Sequence, residues 1–326
     1  MGVRIRDVAA RAGVSTATVS RVLSGVDPVS AALTERVWQA VRELGYHPNR
    51  VARRLRRPGK ETWALIVPDV SNRFFTSIAR GVEDVASDAG VTVFIGNTDG
   101  NPNRLARYLE TAISEQVAGI ILAPSTPYDD VADALDAQVP LVAVDQVLTG
   151  RDLPTVMTDH FEGGRLAAQS LRESGASKIA VIAGPQDEPA WNTRIDGLRA
   201  ALPDGAVVAV ERGRNHAASG RDAMERLLDG DVEFDGLFVT NNLMTIGALR
   251  AAMARGIRIP EDLGVVGYDL KSEEWVSEIP VTSINQSPIT IGQVAARRLL
   301  GASTGEKDLG GVEYLTPELG TAAALV

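Results

Sequence analysis

Residues 7–23 read Asp7-Val8-Ala9-Ala10-Arg11-Ala12-Gly13-Val14-Ser15-Thr16-Ala17-Thr18-Val19-Ser20-Arg21-Val22-Leu23. Asp7 through Ala12 forms a short helical segment that stops at Gly13, the residue type that enters the left-handed conformation without a Cβ clash. Ser15 then stands where a hydroxyl caps a second helix, and Val19, Val22 and Leu23 fall on one face of it. The pattern is a helix-turn-helix. Further on, Ser30 is placed to cap a third helix whose apolar stripe, Leu33, Val37, Val41 and Leu44, ends at Gly45. Three such helices enclose a small core. In a unit of this kind the second helix enters the major groove of double-stranded DNA, which turns Thr16, Ala17 and Arg21 toward base edges. The Arg21 guanidinium matches the paired acceptors of guanine, Thr16 and Ala17 match a thymine methyl, and Ser15 and Ser20 are placed to hold the backbone. The competing reading is a helical hairpin with ordinary surface residues.

Charge follows the same division. Through Lys60 the chain has 12 basic and 4 acidic residues, a net +8; the remainder has 21 and 38, a net −17. A basic head on an acidic body implies that the head meets a polyanion and the body does not. Between them runs Pro48-Asn49-Arg50-Val51-Ala52-Arg53-Arg54-Leu55-Arg56-Arg57-Pro58-Gly59. Two helical turns with five arginines are marginal alone, so this segment is expected to fold only against DNA. Leu55 among the arginines suits an apolar wedge that opens a minor-groove base step. The alternative is a flexible charged linker.

Within the 326 residues, 44% are hydrophobic and none is cysteine, which excludes disulfides, thiolate metal sites and cysteine nucleophiles. His47, His160 and His216 lack ligand spacing, so neither a metal nor a cofactor is expected. No apolar run reaches the ~20 residues that cross a bilayer, and the N-terminus lacks a signal-peptide pattern; a cytoplasmic protein with no membrane partner is expected. After residue 60, strand-length apolar runs (Trp63 to Val67, Val91 to Ile95, Gly119 to Ala123, Leu141 to Val144, Lys178 to Ala183, Val207 to Val210, Gly236 to Val239, Leu263 to Gly267) alternate with amphipathic helical stretches. This is the rhythm of an α/β fold, read as two doubly wound parallel-sheet halves with a changeover near Thr158 and a ligand at the strand carboxyl ends. Polar or aromatic residues follow several strands: Phe74 and Phe75, Asp145, Trp191 through Arg194, Asn241, Asp269 and Gln286. If they converge, they offer the carboxylates, amides, guanidinium and aromatic wall that a polyhydroxylated sugar needs. Singly, each also has a structural reading: Asp145 as a turn cap, the two Phe as core, and Arg194 as a surface partner of Asp196 or Asp187.

The motifs Asp7-Val8-Ala9, Ala12-Gly13-Val14-Ser15, Thr18-Val19-Ser20-Arg21-Val22-Leu23, Gly45-Tyr46 and Pro48-Asn49-Arg50-Val51-Ala52 resemble the LacI/GalR family of bacterial repressors. The resemblance implies an all-α helix-turn-helix head over 1–47, a hinge over 48–60 and a periplasmic-binding-protein-like core over 61–326. In that core one subdomain takes about 61–158 plus 288–318 and the other about 159–287 plus 319–326. It further implies a homodimer on a palindromic operator. Base reading would fall to Thr16, Ala17 and Arg21, with Asn49, Val51 and Ala52 also at the DNA and Leu55 in the minor groove. Effector contacts would come from Arg194 and Asp269 first, with Asn241, Asp145, Gln286, Trp191, Phe74 and Phe75 around them. Three residues depart from the family pattern: Arg73 for a proline, His160 for an asparagine, Asn242 for an aspartate. Glu188 stands where a purine-binding member carries arginine, which favours a sugar or polyol. Two other functions remain for comparison, an α/β enzyme and a transport sugar-binding protein. The first lacks a dinucleotide, phosphate-loop or nucleophile-elbow motif, and the second would not carry the basic head.

Overall fold

A computed structural model of the chain describes residues 3–24, 29–46, 62–126, 129–270, 281–303 and 310–321. The chain divides into two compact units, Met1–Lys60 and Glu61–Val326. In the first, α1 (Ile5–Ala12), α2 (Thr16–Ser24) and α3 (Ala31–Leu44) follow the expected pattern. The Asp7 carboxylate accepts from the Arg4 amide at 2.8 Å and closes the start of α1. Gly13, at φ 65°, ends it, and the Val14 amide reaches back to the Ala9 carbonyl. Ser15 Oγ then accepts from the Thr18 amide at 3.0 Å and starts α2. Ser30 occupies the N-cap position of α3, but its hydroxyl makes no capping bond. That turn opens exposed at Ala31 and Ala32, where free amides are accessible to solvent. Val8, Val19 and Val37 are fully buried at the centre.

In the second unit the chain runs β1 (Thr62–Val67), α4 (Arg73–Asp88), β2 (Thr92–Asn97), α5 (Pro102–Ser114), β3 (Gly119–Leu122), α6 (Ala132–Asp136), β4 (Leu141–Val144) and β5 (Thr155–Thr158). It continues with α7 (His160–Glu173), β6 (Ile179–Ala183), α8 (Pro189–Ala200), β7 (Val207–Arg212), α9 (Ala217–Asp229), β8 (Gly236–Val239), α10 (Asn242–Ala254), β9 (Gly264–Tyr268) and β10 (Thr282–Asn285). It closes with α11 (Pro288–Ser303), β11 (Val312–Leu315) and β12 (Glu318–Thr321). Two sheets result, in the orders β11-β5-β4-β3-β1-β2 and β12-β10-β9-β8-β6-β7. The chain therefore passes from one half to the other after β5, after β10 and after β11. β1 lies inside the first sheet, with Leu65 opposite both Ile95 and Ile121. Its odd residues Trp63, Leu65 and Val67 pack with Ile78 and Ile291, its even residues Ala64 and Ile66 with Leu105 and Leu109. Helices on both faces explain why such strands read as unbroken apolar runs.

Four strands lie beyond the sequence expectation: β5, β10, β11 and β12. The strands are four residues each and rich in polar side chains, too short for a periodicity to register. β12 also breaks the parallel rule by pairing antiparallel to β10. It enters that sheet directly from β11 of the other half, two residues upstream. No described helix is long and apolar enough to cross a membrane.

Candidate functional site

On the head, packing of Val19 and Val22 inward fixes the outward face of α2. Ser15, Thr16, Ala17 and Arg21 are exposed there, and Ser20 is half-buried. Asn49, Val51, Ala52 and Leu55 lie outside the described residues.

Between the two halves of the core lies a cavity of about 480 Å³, and all eight expected effector residues line it. Each is delivered by a strand end or the helix turn that follows. The helices begin earlier than periodicity suggests; α4 and α10 do so because an asparagine past the strand caps each of them. Asn72 Oδ1 accepts from the Phe74 amide at 3.0 Å, placing Phe74 and Phe75 in the first turn of α4 with their rings edge to face. Asn241 Oδ1 accepts from the Met244 amide at 3.0 Å and starts α10. Trp191 and Arg194 sit on the first turns of α8, which opens with Pro189. Asp145 follows β4 at φ 75° and Asp269 follows β9 at φ 44°, a left-handed conformation that L-residues adopt at some cost and that occurs most at functional sites.

Arg194 is the hub. It is 3% exposed and spends its donors inside the protein, on the Thr240 carbonyl, on Gln286 Oε1 at 2.6 Å and on His160 Nδ1 at 3.2 Å. The guanidinium lies 3.9 Å from the centroid of the Tyr268 ring and 4.9 Å from that of Trp191. Gln286 passes the chain on: its side-chain amide donates to Asp269 Oδ2 at 2.5 Å and its backbone amide to Oδ1 at 2.9 Å. The surface pairing of Arg194 with Asp196 or Asp187 does not form. Helix α8 reaches this position because Gly197 and Gly164 let it close onto α7: a Cβ built on Gly164 would lie 2.0 Å from the Arg194 carbonyl oxygen, and one on Gly197 2.0 Å from that of Phe161.

The electrostatics follow from burial in an acidic cleft. Desolvation raises the Asp145 carboxyl to about 6; Arg194 opposes this, while Asp269 and Glu188 add to it. Glu188 is also pushed up by burial, although Trp191 Nε1 donates to it at 2.7 Å. Burial first, then the adjacent Arg194 charge, hold His160 well below the usual histidine range, so the ring is neutral. With Nδ1 accepting from Arg194, its proton sits on Nε2. The Asp145 backbone lies near enough to offset part of the shift but not at hydrogen-bonding geometry, and Nε2 has no partner among the described residues. Burial pushes Tyr268 up to about 12.

His160 and Asn242 depart from the family pattern, and nothing in their sequence neighbourhood gives either a role. His160 buttresses Arg194. Asn242 Nδ2 donates to Asn72 Oδ1 at 2.9 Å, a bond from one half of the core to the other that an aspartate cannot donate. Tyr268 was visible beside Asp269, but only the fold places its ring under Arg194. The arrangement offers carboxylate and amide partners for hydroxyl groups beside aromatic surface, a binding chemistry.

Residues 4–49 match the model for bacterial regulatory proteins of the lacI family, and residues 63–307 match the periplasmic binding protein domain. The transcriptional regulator CelR of Thermobifida fusca is 38% identical over 313 residues, covering 92% of this chain and 91% of its own. A CelR–cellobiose complex is similar with a TM-score of 0.70 and 34% identity, over 97% of this chain and 98% of that one. A lac repressor dimer bound to operator and the anti-inducer ONPF superposes with a TM-score of 0.85 at 27% identity, over 100% of both chains. With a matching head, a matching core and relatives aligned over nearly the whole length, the chain belongs to the LacI family of bacterial regulatory proteins.

Proposed function

We propose that this protein is a cytoplasmic, homodimeric transcriptional repressor whose affinity for a palindromic operator is set by an uncharged sugar or polyol in the core cleft. The observation that carries the effector half is the convergence of eight residues, from separated stretches of the chain, on one cavity. Its volume lies within the range of small-molecule sites, ~300–1,000 Å³. Carboxylates Asp69, Asp99, Asp145, Glu188 and Asp269 outnumber Arg194 and Arg214 along the lining, which disfavours phosphorylated ligands. The neighbour that holds cellobiose supports a carbohydrate. The head, residues 1–47, would read bases through Arg21, Thr16 and Ala17, with Ser15 and Ser20 on the backbone; residues 48–60, with Asn49, Val51, Ala52 and Leu55, would form the hinge. The core binds without turnover, in keeping with relatives that are regulators. A ligand between the halves changes their relative angle, and operator affinity follows by ~1–3 kcal/mol of coupling.

A thermal-shift screen of the full chain against neutral sugars, polyols, sugar phosphates and nucleobases tests this. A true effector at a hundredfold excess over Kd stabilises by ~2.7 kcal/mol, a shift of several degrees. That shift should vanish in Arg194→Ala, and the same ligand should change operator binding. Silence from all neutral carbohydrates, or a response confined to sugar phosphates, would overturn the effector assignment.

A further inference from the structure

A second cavity, about 380 Å³, adjoins the first: Gln146 and Ala190 line both. It flanks two of the three crossings between the halves of the core. Met157 and His160 stand either side of the β5–α7 crossing, and Tyr314 ends one residue short of the crossing after β11. Both halves build its walls, with Val147, Met157 and Tyr314 from one and Phe161 and Pro189 from the other. Three of these apolar side chains remain open to solvent, Val147 at 40%, Phe161 at 43% and Tyr314 at 60%. Such aromatic exposure around a concave surface marks a binding site more often than scattered surface residues do.

The charges around the cavity select its occupant. Among the described residues its lining contains no lysine or arginine, so an anion finds no counter-charge. Its one carboxylate, Asp159, accepts from the Glu162 amide at 2.9 Å as the cap of α7. His160 lines this cavity and Arg194 lines the effector cleft, and the two side chains are in contact. The 4%-exposed imidazole therefore lies between this cavity and Arg194, with Nδ1 committed to Arg194 and Nε2, itself buried, without a partner among the described residues.

We propose that this cavity is a second ligand site, for a small uncharged aromatic molecule carrying a hydrogen-bond acceptor, and that it is coupled to the effector cleft through His160 and Arg194. The aromatic ring packs between Phe161 and Tyr314. An acceptor drawn toward Nε2–H by a small rotation of the imidazole disturbs Nδ1, and with it the guanidinium that holds Gln286 and Asp269. The site itself does not depend on which carbohydrate fills the main cleft.

The test uses the full chain and fluorine NMR, with 4-fluorobenzamide as the neutral probe and 4-fluorobenzoate as its anionic counterpart. Expected are saturable 4-fluorobenzamide binding, at least tenfold weaker 4-fluorobenzoate binding, and at least tenfold loss of the neutral probe in Tyr314→Ala or Phe161→Ser. Both side chains are exposed, and unchanged operator binding by these variants checks that they fold. Asp269→Asn, in the main cleft, should leave probe affinity within about twofold. Saturating probe should shift operator affinity at least threefold in the wild type and not in His160→Asn. Absence of saturable binding, or loss in Asp269→Asn with none in Tyr314→Ala, overturns the second site. Binding with no operator shift overturns the coupling. A carbohydrate screen that stays silent would refute the effector reading and leave these outcomes unaffected.

Discussion

At the residue scale the cleft stores cost in single side chains. Asp145 is lifted from 3.8 to about 6, so its contribution to stability is present below its unfolded pKa and lost as pH rises through about 6. Two units correspond to roughly 2–3 kcal/mol of destabilisation at pH 7. Asp145→Asn should therefore raise the melting point of the ligand-free protein at pH 7, and the gain should close below about pH 4; an equal gain at both pH values would show that ionisation is not the cause. His160 has the opposite sign. Its depressed pKa gives stability that is present above 6.5 and lost as pH falls. His160→Asn should flatten the acid side of the stability profile, and an unchanged acid limb would remove His160 from the account. On the head, Arg21 is exposed on the outward face of α2. Arg21→Ala should relax base preference at one operator position by ~1–3 kcal/mol, read from binding to a library of operator variants. Loss spread evenly over all sequences would instead make Arg21 a phosphate contact.

At the element scale, caps and close approaches decide where functional side chains emerge. The Ser15 bond to the Thr18 amide fixes the start of α2. Ser15→Ala should cost the head ~1 kcal/mol in a thermal melt; no cost would mean that water replaces the hydroxyl. Reciprocal glycines on α7 and α8 bring those helices together at Arg194. Gly164→Ala should destabilise the core by ~1–3 kcal/mol through overpacking against backbone. It should also weaken effector binding, although residue 164 is not among those lining the cleft. Of the two capping asparagines, Asn241 was legible as a strand-end polar residue and Asn72 was not. That they start helices was not legible, because a cap is recognised by the backbone it bonds and not by its residue type alone.

At the scale of the whole molecule, three crossings join the halves of the core and the Asn242–Asn72 bond spans them. Asn242→Ala removes that bond and should shift the balance between closed and open cores. We expect a change in the effector's apparent Kd of several-fold with the order of ligand preference kept, measured by calorimetry; altered preference would place Asn242 at the ligand. The helix-turn-helix, the head's charge and the α/β rhythm were fixed by local pattern, since helix caps and apolar periods act within one or two turns of the chain. Only the tertiary structure decided that Arg194, Gln286, Asp269 and His160 form one network, and that β12 returns antiparallel. Those contacts join residues 34 to 92 positions apart around Arg194 and up to 170 apart at Asn72–Asn242. Their spacing along the chain carries no period, so it is the packing of two sheets that brings them together.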